Sequence, residues 1–315
     1  MIRLFIVISA LVYAQSVGAD MGSIPFKSGV VISEPKQDAI IAWNGIEQLL
    51  YLQTTLSASE ETKVLEVMPL PSKPTVEATS EEVFKRCASL LPKIRKKREK
   101  SGMDPFGAPP AEAPAAQVVE RKKIGAHDLR VVELLNPKRF EDWIGAEFKG
   151  EGLEVPRALL DVIGEYTDDG FTWFIFDVID LKAELGKKTP LKIRFKTTSL
   201  FYPMRITRTE KGFSTVSLSV LTNILFEVED CVGIPRSEIV VPARPREITG
   251  TRLHWVDPDI YELLRRPATA RIRTWEISGS IDEFEKDLLI RNPKLHKKEG
   301  EQGAPCKNDS RVGDS

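Results

Sequence analysis

Residues 33–74 read SEPKQDAIIAWNGIEQLLYLQTTLSASEETKVLEVMPLPSKP. Two apolar runs, Ala39–Trp43 and Gln48–Gln53, flank Asn44-Gly45. Asn and Gly both accept the positive φ of a tight turn, so the spacing predicts a β-hairpin. Lys63–Met68 is a third apolar run and predicts a third strand. Pro69, Pro71 and Pro74 lack the N–H a ladder needs, so they are expected to end that strand and leave an extended edge segment. Trp43, inside the first run, is expected in the core.

Outward from this stretch, the signals mix helices and strands. Thr79 and Glu82 have capping-box spacing, and Val83, Cys87, Leu90, Leu91 and Ile94 recur at helical intervals until Pro92 interrupts them. Residues 101–119 include the Pro/Ala/Gly-rich run SGMDPFGAPPAEAPAAQ and read as a disordered insertion rather than a domain boundary. Asp128–Leu134 predicts a strand. A helix from Pro137 to about Lys149 follows, and Pro156 opens another with Leu159, Leu160 and Ile163 inward. Asp168-Asp169-Gly170 is a turn. Phe171–Leu181 is apolar on both faces and predicts a central strand covered on both sides. Leu191–Thr197 predicts a strand, and Met204–Thr209 and Ser214–Leu221 predict a second hairpin around Glu210-Lys211-Gly212. A short helix near Pro258, a strand at Arg271–Ile277 and a helix capped by Ser280 complete the pattern. Two hairpins without a βαβ rhythm predict an α+β fold with largely antiparallel sheet.

The ends carry different signals. Arg3, the apolar run Leu4–Val12 and Val17-Gly18-Ala19 before Asp20 make residues 1–19 a secretory signal peptide. The apolar run is shorter than the roughly 20 residues that span a bilayer, and no later run reaches that length. The expectation is a secreted or periplasmic protein with one α+β domain at 20–292 and a disordered polar tail at 293–315. Its partner is expected in the envelope or at the cell surface. Three cysteines, Cys87, Cys231 and Cys306, leave open one disulfide plus a thiol, or Cys87 and Cys231 as small buried hydrophobes.

The sequence carries little catalytic chemistry. A Gly-rich phosphate loop, a Gly-x-Ser-x-Gly elbow, His-Glu-x-x-His and Cys-x-x-Cys are all missing. Three histidines are too few for a convincing metal cluster, so neither a metal nor a cofactor is expected. Net charge is −1, and the basic run Lys93–Lys100 has no interleaved aromatics, so nucleic acid is not expected. His127 and Asp128 are adjacent on one strand and point to opposite faces, which places His127 at a strand entry rather than in a dyad. Asp177 alternates with Trp173, Ile175 and Ile179, so it lies on an apolar face. There it is either paired to a basic residue such as Arg194 or Arg205, or has the raised pKa of a general acid. Asp168, by its position, is a turn residue and a weaker catalytic candidate. The loop after the second strand carries Ser57, Ser59, Glu60 and Glu61, and loops on a rigid sheet are where binding concentrates.

The blocks SEPKQDAIIAWNG, TTLSASEETKVLEVMPLPSKP, IGAHDLRVVELLN, DDGFTWFIFDVIDL and LFYPMRITRTEKG, in this order over about residues 33–222, resemble an exported prokaryotic family. It is catalogued as domain of unknown function 2330. The resemblance implies an exported protein with no established activity and no agreed catalytic residues. The reading is therefore a non-enzymatic binding or interaction module of the cell envelope. The alternative is an envelope hydrolase working through carboxylates, with or without a divalent metal.

Overall fold

The computed structural model describes residues 23–27, 29–91, 116–181, 186–209, 213–226, 231–232, 239–240 and 245–292. The expected signal peptide at 1–19, the basic run Lys93–Lys100, residues 101–115 of the expected insertion, the expected turn Glu210-Lys211-Gly212, Cys306 and the expected tail at 293–315 lie outside them.

In chain order, strands β1 (Ile24–Pro25), β2 (Ile32–Trp43), β3 (Glu47–Ala58), β4 (Thr62–Leu70) and β5 (Thr75–Ala78) precede helix α1 (Glu81–Ser89). Then come β6 (Ala116–Ile124), β7 (His127–Leu134), α2 (Phe140–Lys149), α3 (Arg157–Asp168) and β8 (Trp173–Leu181). They are followed by β9 (Gly186–Lys187), β10 (Leu191–Lys196), β11 (Ser199–Tyr202) and β12 (Phe213–Thr222). Four elements, β13 (Cys231–Val232), β14 (Ile239–Val240), β15 (Arg246–Thr249) and α4 (Gly250–Val256), lead to α5 (Pro258–Leu263), β16 (Thr269–Ser280) and β17 (Leu288–Arg291). The fold is α+β, as the alternation of hairpins and helices predicts.

Two sheets carry the architecture. The first has the order β1-β4-β8-β7-β6, and the second runs β14-β16-β12-β2-β3-β10-β5. One face of the first sheet, through Met68, Leu129 and Ile175, shares a core with Ile41, Leu50 and Ile193 of the second. Its other face, Phe174, Phe176 and Val178, packs on α2 and α3. The far face of the second sheet, at Ile40, Tyr51 and Ile272, is covered by α1, α4 and α5. The result is four layers: helix, sheet, sheet, helix. A small sheet, β11-β17-β13, adds Leu200 and Ile290 to the inter-sheet core.

The Asn44-Gly45 hairpin forms as its residues dictate. Gly45 takes φ +92°, and Asn44 Oδ1 accepts from the Ile46 and Glu47 N–H groups at 2.9 and 2.8 Å. Trp43 is fully buried. β8 lies between β4 and β7 with both faces covered.

The expected third strand forms as β4, which joins the first sheet, while β10 takes the place beside β3. Several expectations are overturned. Pro69 stays in the ladder opposite Phe174. β1 flanks β4 at Val64 and Leu65, and among the described residues no strand pairs with Pro69 on that side, so no ladder bond there needs its N–H. Helix α1 starts after Ser80, not at a Thr79 box, and Ser80 makes no side-chain cap bond. β6 begins at Ala116, so 116–119, expected in the insertion, are strand. The second hairpin is absent: 205–209 form a 3₁₀ turn, and β12 pairs instead with β16 and, in parallel, with β2. The cause is Asp287, whose carboxylate accepts from the Met204 and Arg205 N–H groups at 2.8 and 2.9 Å and holds the turn. Ser280 opens only a 3₁₀ turn, after which β17 pairs with β11.

Candidate functional site

Asp177 sits in the middle of β8 and faces the second sheet, flanked on its own strand by Ile175 and Ile179. It is 1 % exposed. Its partner is neither Arg194 nor Arg205. Arg194 pairs with Glu47 at 3.1 Å on the second sheet, and Arg205 with Asp169 at 2.7 Å on the helical side of the first. The partner is His127, whose Nδ1 lies 2.5 Å from Asp177 Oδ2. β7 and β8 pair so that Leu129 stands opposite Asp177 and His127 opposite Ile179, which makes His127 and Asp177 diagonal neighbours on one face. His127 is therefore buried, at the entry of β7 as predicted, and its contact is with Asp177 rather than Asp128.

A second pair adjoins the first. Glu66 of β4 stands directly opposite Asp177. Lys188 Nζ reaches Glu66 Oε1 at 2.5 Å, and Ser23 Oγ lies 3.4 Å from the same oxygen. Like charges directly opposite on neighbouring strands repel, and the two partners supply the compensation. Donor counting fixes the rest. His127 Nε2 lies 3.0 Å from the Thr189 carbonyl, which only accepts, so Nε2 donates. Asp177 Oδ2 then needs the second proton, held between it and Nδ1. Asp177 Oδ1 is buried and has no hydrogen-bond partner among the described residues. Ser23, Glu66, His127, Asp177 and Lys188 are all buried, so the cluster is closed to a substrate.

Asp168 is elsewhere. It ends α3, is exposed, and borders a groove of about 260 Å³ with Lys138 and Glu141 on the helical side of the first sheet. Asp177 points to the opposite side, so the two carboxylates do not share a site. The Ser57–Glu61 segment is engaged with the chain's own lead-in. Ser57 is in β3 opposite Ser33, and the Ser59 hydroxyl accepts from the Val31 N–H at 3.1 Å. Lys27 Nζ donates to the Glu61 carbonyl at 2.6 Å and lies 3.8 Å from Glu60.

A further carboxylate, largely buried, holds β17. Asp287 accepts from the Tyr166 hydroxyl at 2.6 Å besides the two backbone bonds described above. The Arg205 guanidinium stacks 4.0 Å from the Tyr166 ring centroid. Burial pushes the Asp287 carboxyl above its ordinary value, against the opposing pull of the Tyr166 bond and the Arg205 N–H and charge. Cys87, on the buried face of α1, is a free thiol pushed up to about 12 by burial. The backbone of Cys231 belongs to β13.

A second groove among the described residues opens on the far face of the second sheet. Among the described residues, helices α1, α4 and α5 cover part of that face. Beside α1 a groove of about 460 Å³ remains, with Ser217, Ser219, Thr274 and Glu276 on its floor and Phe84 and Lys85 on its helical wall. The floor follows from register: Ser217 stands opposite Glu276 and Ser219 opposite Thr274 on β12 and β16. Alternation in Ser214–Leu221 was legible as a strand, but that its serines line a groove depends on α1 lying alongside. Among the described residues no group of three His, Cys, Asp or Glu side chains could hold a metal ion. Nor is any helix among them long and apolar enough to cross a membrane.

A family model described as "uncharacterised protein conserved in bacteria (DUF2330)" matches residues 19–249. No curated protein matches the chain. Among solved structures, baculovirus P35 aligns at TM-score 0.42 and 8 % identity, covering 85 % of this chain and 99 % of that one. A mutated baculovirus P35 after caspase cleavage gives 0.39, also at 8 % identity, covering 82 % and 97 %.

Proposed function

The chain belongs to the family of uncharacterised proteins conserved in bacteria, DUF2330, and from that premise we propose that it is a non-enzymatic binding module of the bacterial cell envelope. Its ligand surface is the groove beside α1. The observation that carries this reading is the contrast between the two polar assemblies. The titratable cluster around Asp177 is paired and shut inside the inter-sheet core, whereas the hydroxyl-lined floor at Ser217, Ser219 and Thr274 is open. Polar groups converging on an open concavity of this size are the usual form of a binding site. The signal-peptide pattern in residues 1–19 supports export to the periplasm or surface.

The test is photo-cross-linking from the groove. A photoreactive residue at Lys85, on the wall, and a control at Lys138, on the distant helical face, are placed in tagged full-length protein. Each is irradiated in its own cell envelope and recovered. A partner captured from Lys85 and not from Lys138 is expected. Repeated recovery of nothing from Lys85 counts against the binding reading.

A further inference from the structure

The lining of the groove is balanced in charge and mixed in character, and both properties restrict what fits. Four charged side chains border it, Lys36, Asp38, Lys85 and Glu276, two of each sign. Lys36 is bound to Asp38 at 2.5 Å, and Lys85 lies within 4 Å of both Glu81 and Glu82 of its own helix, at 3.9 and 3.8 Å. These are exposed pairs that water and salt weaken, but with them the described lining has no excess of positive charge to draw a phosphate or carboxylate. Glu276 has no ion-pair partner among the described residues and is exposed, so it offers a strong acceptor to a donor on the ligand. The Ser217, Ser219 and Thr274 hydroxyls beside it both donate and accept. Phe84 supplies a flat apolar wall above them. The cavity, about 460 Å³, falls within the range of small-ligand sites, about 300–1,000 Å³.

We infer that the groove takes a neutral sugar chain. A pyranose is an uncharged ring with an apolar C–H face and a rim of hydroxyls. The face lies against Phe84, and the rim exchanges hydrogen bonds with Ser217, Ser219, Thr274 and Glu276. The described lining carries two charges of each sign, so it favours neither a polyanion nor a polycation. This inference rests on the binding reading above and adds the class of ligand.

The test is an NMR titration of the ¹⁵N-labelled full chain with two neutral tetrasaccharides, the β-1,4-linked N-acetylglucosamine tetramer and maltotetraose. Tetraglutamate and tetralysine serve as charged controls. Saturable shifts at the Ser217, Ser219, Thr274 and Glu276 amides are expected from at least one sugar and from neither peptide. The S217A/E276Q variant should weaken that sugar's affinity at least tenfold with an unchanged melting temperature. Silence of both sugars at these amides, or sugar shifts confined to other residues, overturns the inference. Should a charged peptide move these amides while the sugars do not, the ligand class is wrong but the groove still binds.

Discussion

Glu66 and Asp177 stand opposite each other on adjacent strands inside the inter-sheet core, and each is neutralised by a residue from a different part of the chain. Lys188 comes from the connection before β10, and His127 from the start of β7. Removing either partner leaves a buried carboxylate facing another. Lys188→Met is expected to cost about 3–5 kcal/mol, the range for breaking a buried pair. Adding Glu66→Gln should recover much of that loss. Urea unfolding of the single and double variants measures both; equal midpoints for Lys188→Met and the parent would refute the pairing.

Asp177 is expected to tolerate Asn far better than Leu. An amide still donates to His127 Nδ1 while Nε2 keeps its bond to the Thr189 carbonyl. Leu leaves Nδ1 buried and bare, a penalty of about 1–3 kcal/mol. Thermal unfolding should rank parent, Asn and Leu in that order.

Asp287 predicts a pH dependence with a definite sign. Its folded carboxyl lies above the ordinary 3.8, so the folded state keeps a proton that the unfolded state releases. Its contribution is full below 3.8 and is lost as pH rises through the folded value. Asp287→Asn keeps an acceptor for Tyr166 and the two N–H groups but does not titrate. The difference in unfolding free energy between parent and variant should move in the variant's favour as pH rises across that window. A pH-independent difference contradicts the burial argument.

Cys87 should be inert in the folded protein, since only the thiolate reacts and its thiol is buried with a value of about 12. In a C231S/C306S background, a chromogenic disulfide reagent at pH 8 should label it only after denaturant is added. Prompt labelling of the native chain would show that α1 opens.

Gly45→Ala should destabilise through backbone and contact together. Gly45 holds φ +92°, and a Cβ there would come within 2.5 Å of Asn292 Nδ2 and 2.7 Å of the Ile224 side chain. Strain of this kind costs about 1–3 kcal/mol. Gly170→Ala is the control, with a similar φ of +88° and open space around it, and it should cost less.

Local signals were legible where local chemistry decides the outcome. Asn44-Gly45 named its hairpin, and the two-sided apolarity of Phe171–Leu181 named the central strand. The face of Asp177 was correct by alternation alone. Its partner was not, because a diagonal contact depends on how β7 and β8 slide past each other, which neither strand encodes by itself. Met204–Thr209 failed for a related reason. Its alternation is real, but Asp287, 82 residues beyond Arg205, takes its N–H groups and bends it into a turn. The groove could not be read at all, since it exists only where a helix stops covering a sheet.

The parallel seam between β2 and β12 has a consequence for how the chain comes together. β2 and β3 are adjacent in sequence, so their hairpin closes a short loop and can form early. The other flank of β2 is covered by residues 216–222, which arrive nearly 180 residues later. Until then an apolar strand presents a bare ladder edge, the feature most prone to pairing with the wrong chain. Refolding should therefore be slow and concentration-sensitive. In pulsed hydrogen exchange, the β2–β3 amides should gain protection before the β2–β12 amides. A chain built this way has reason to be kept apart from its neighbours until its last third has been made.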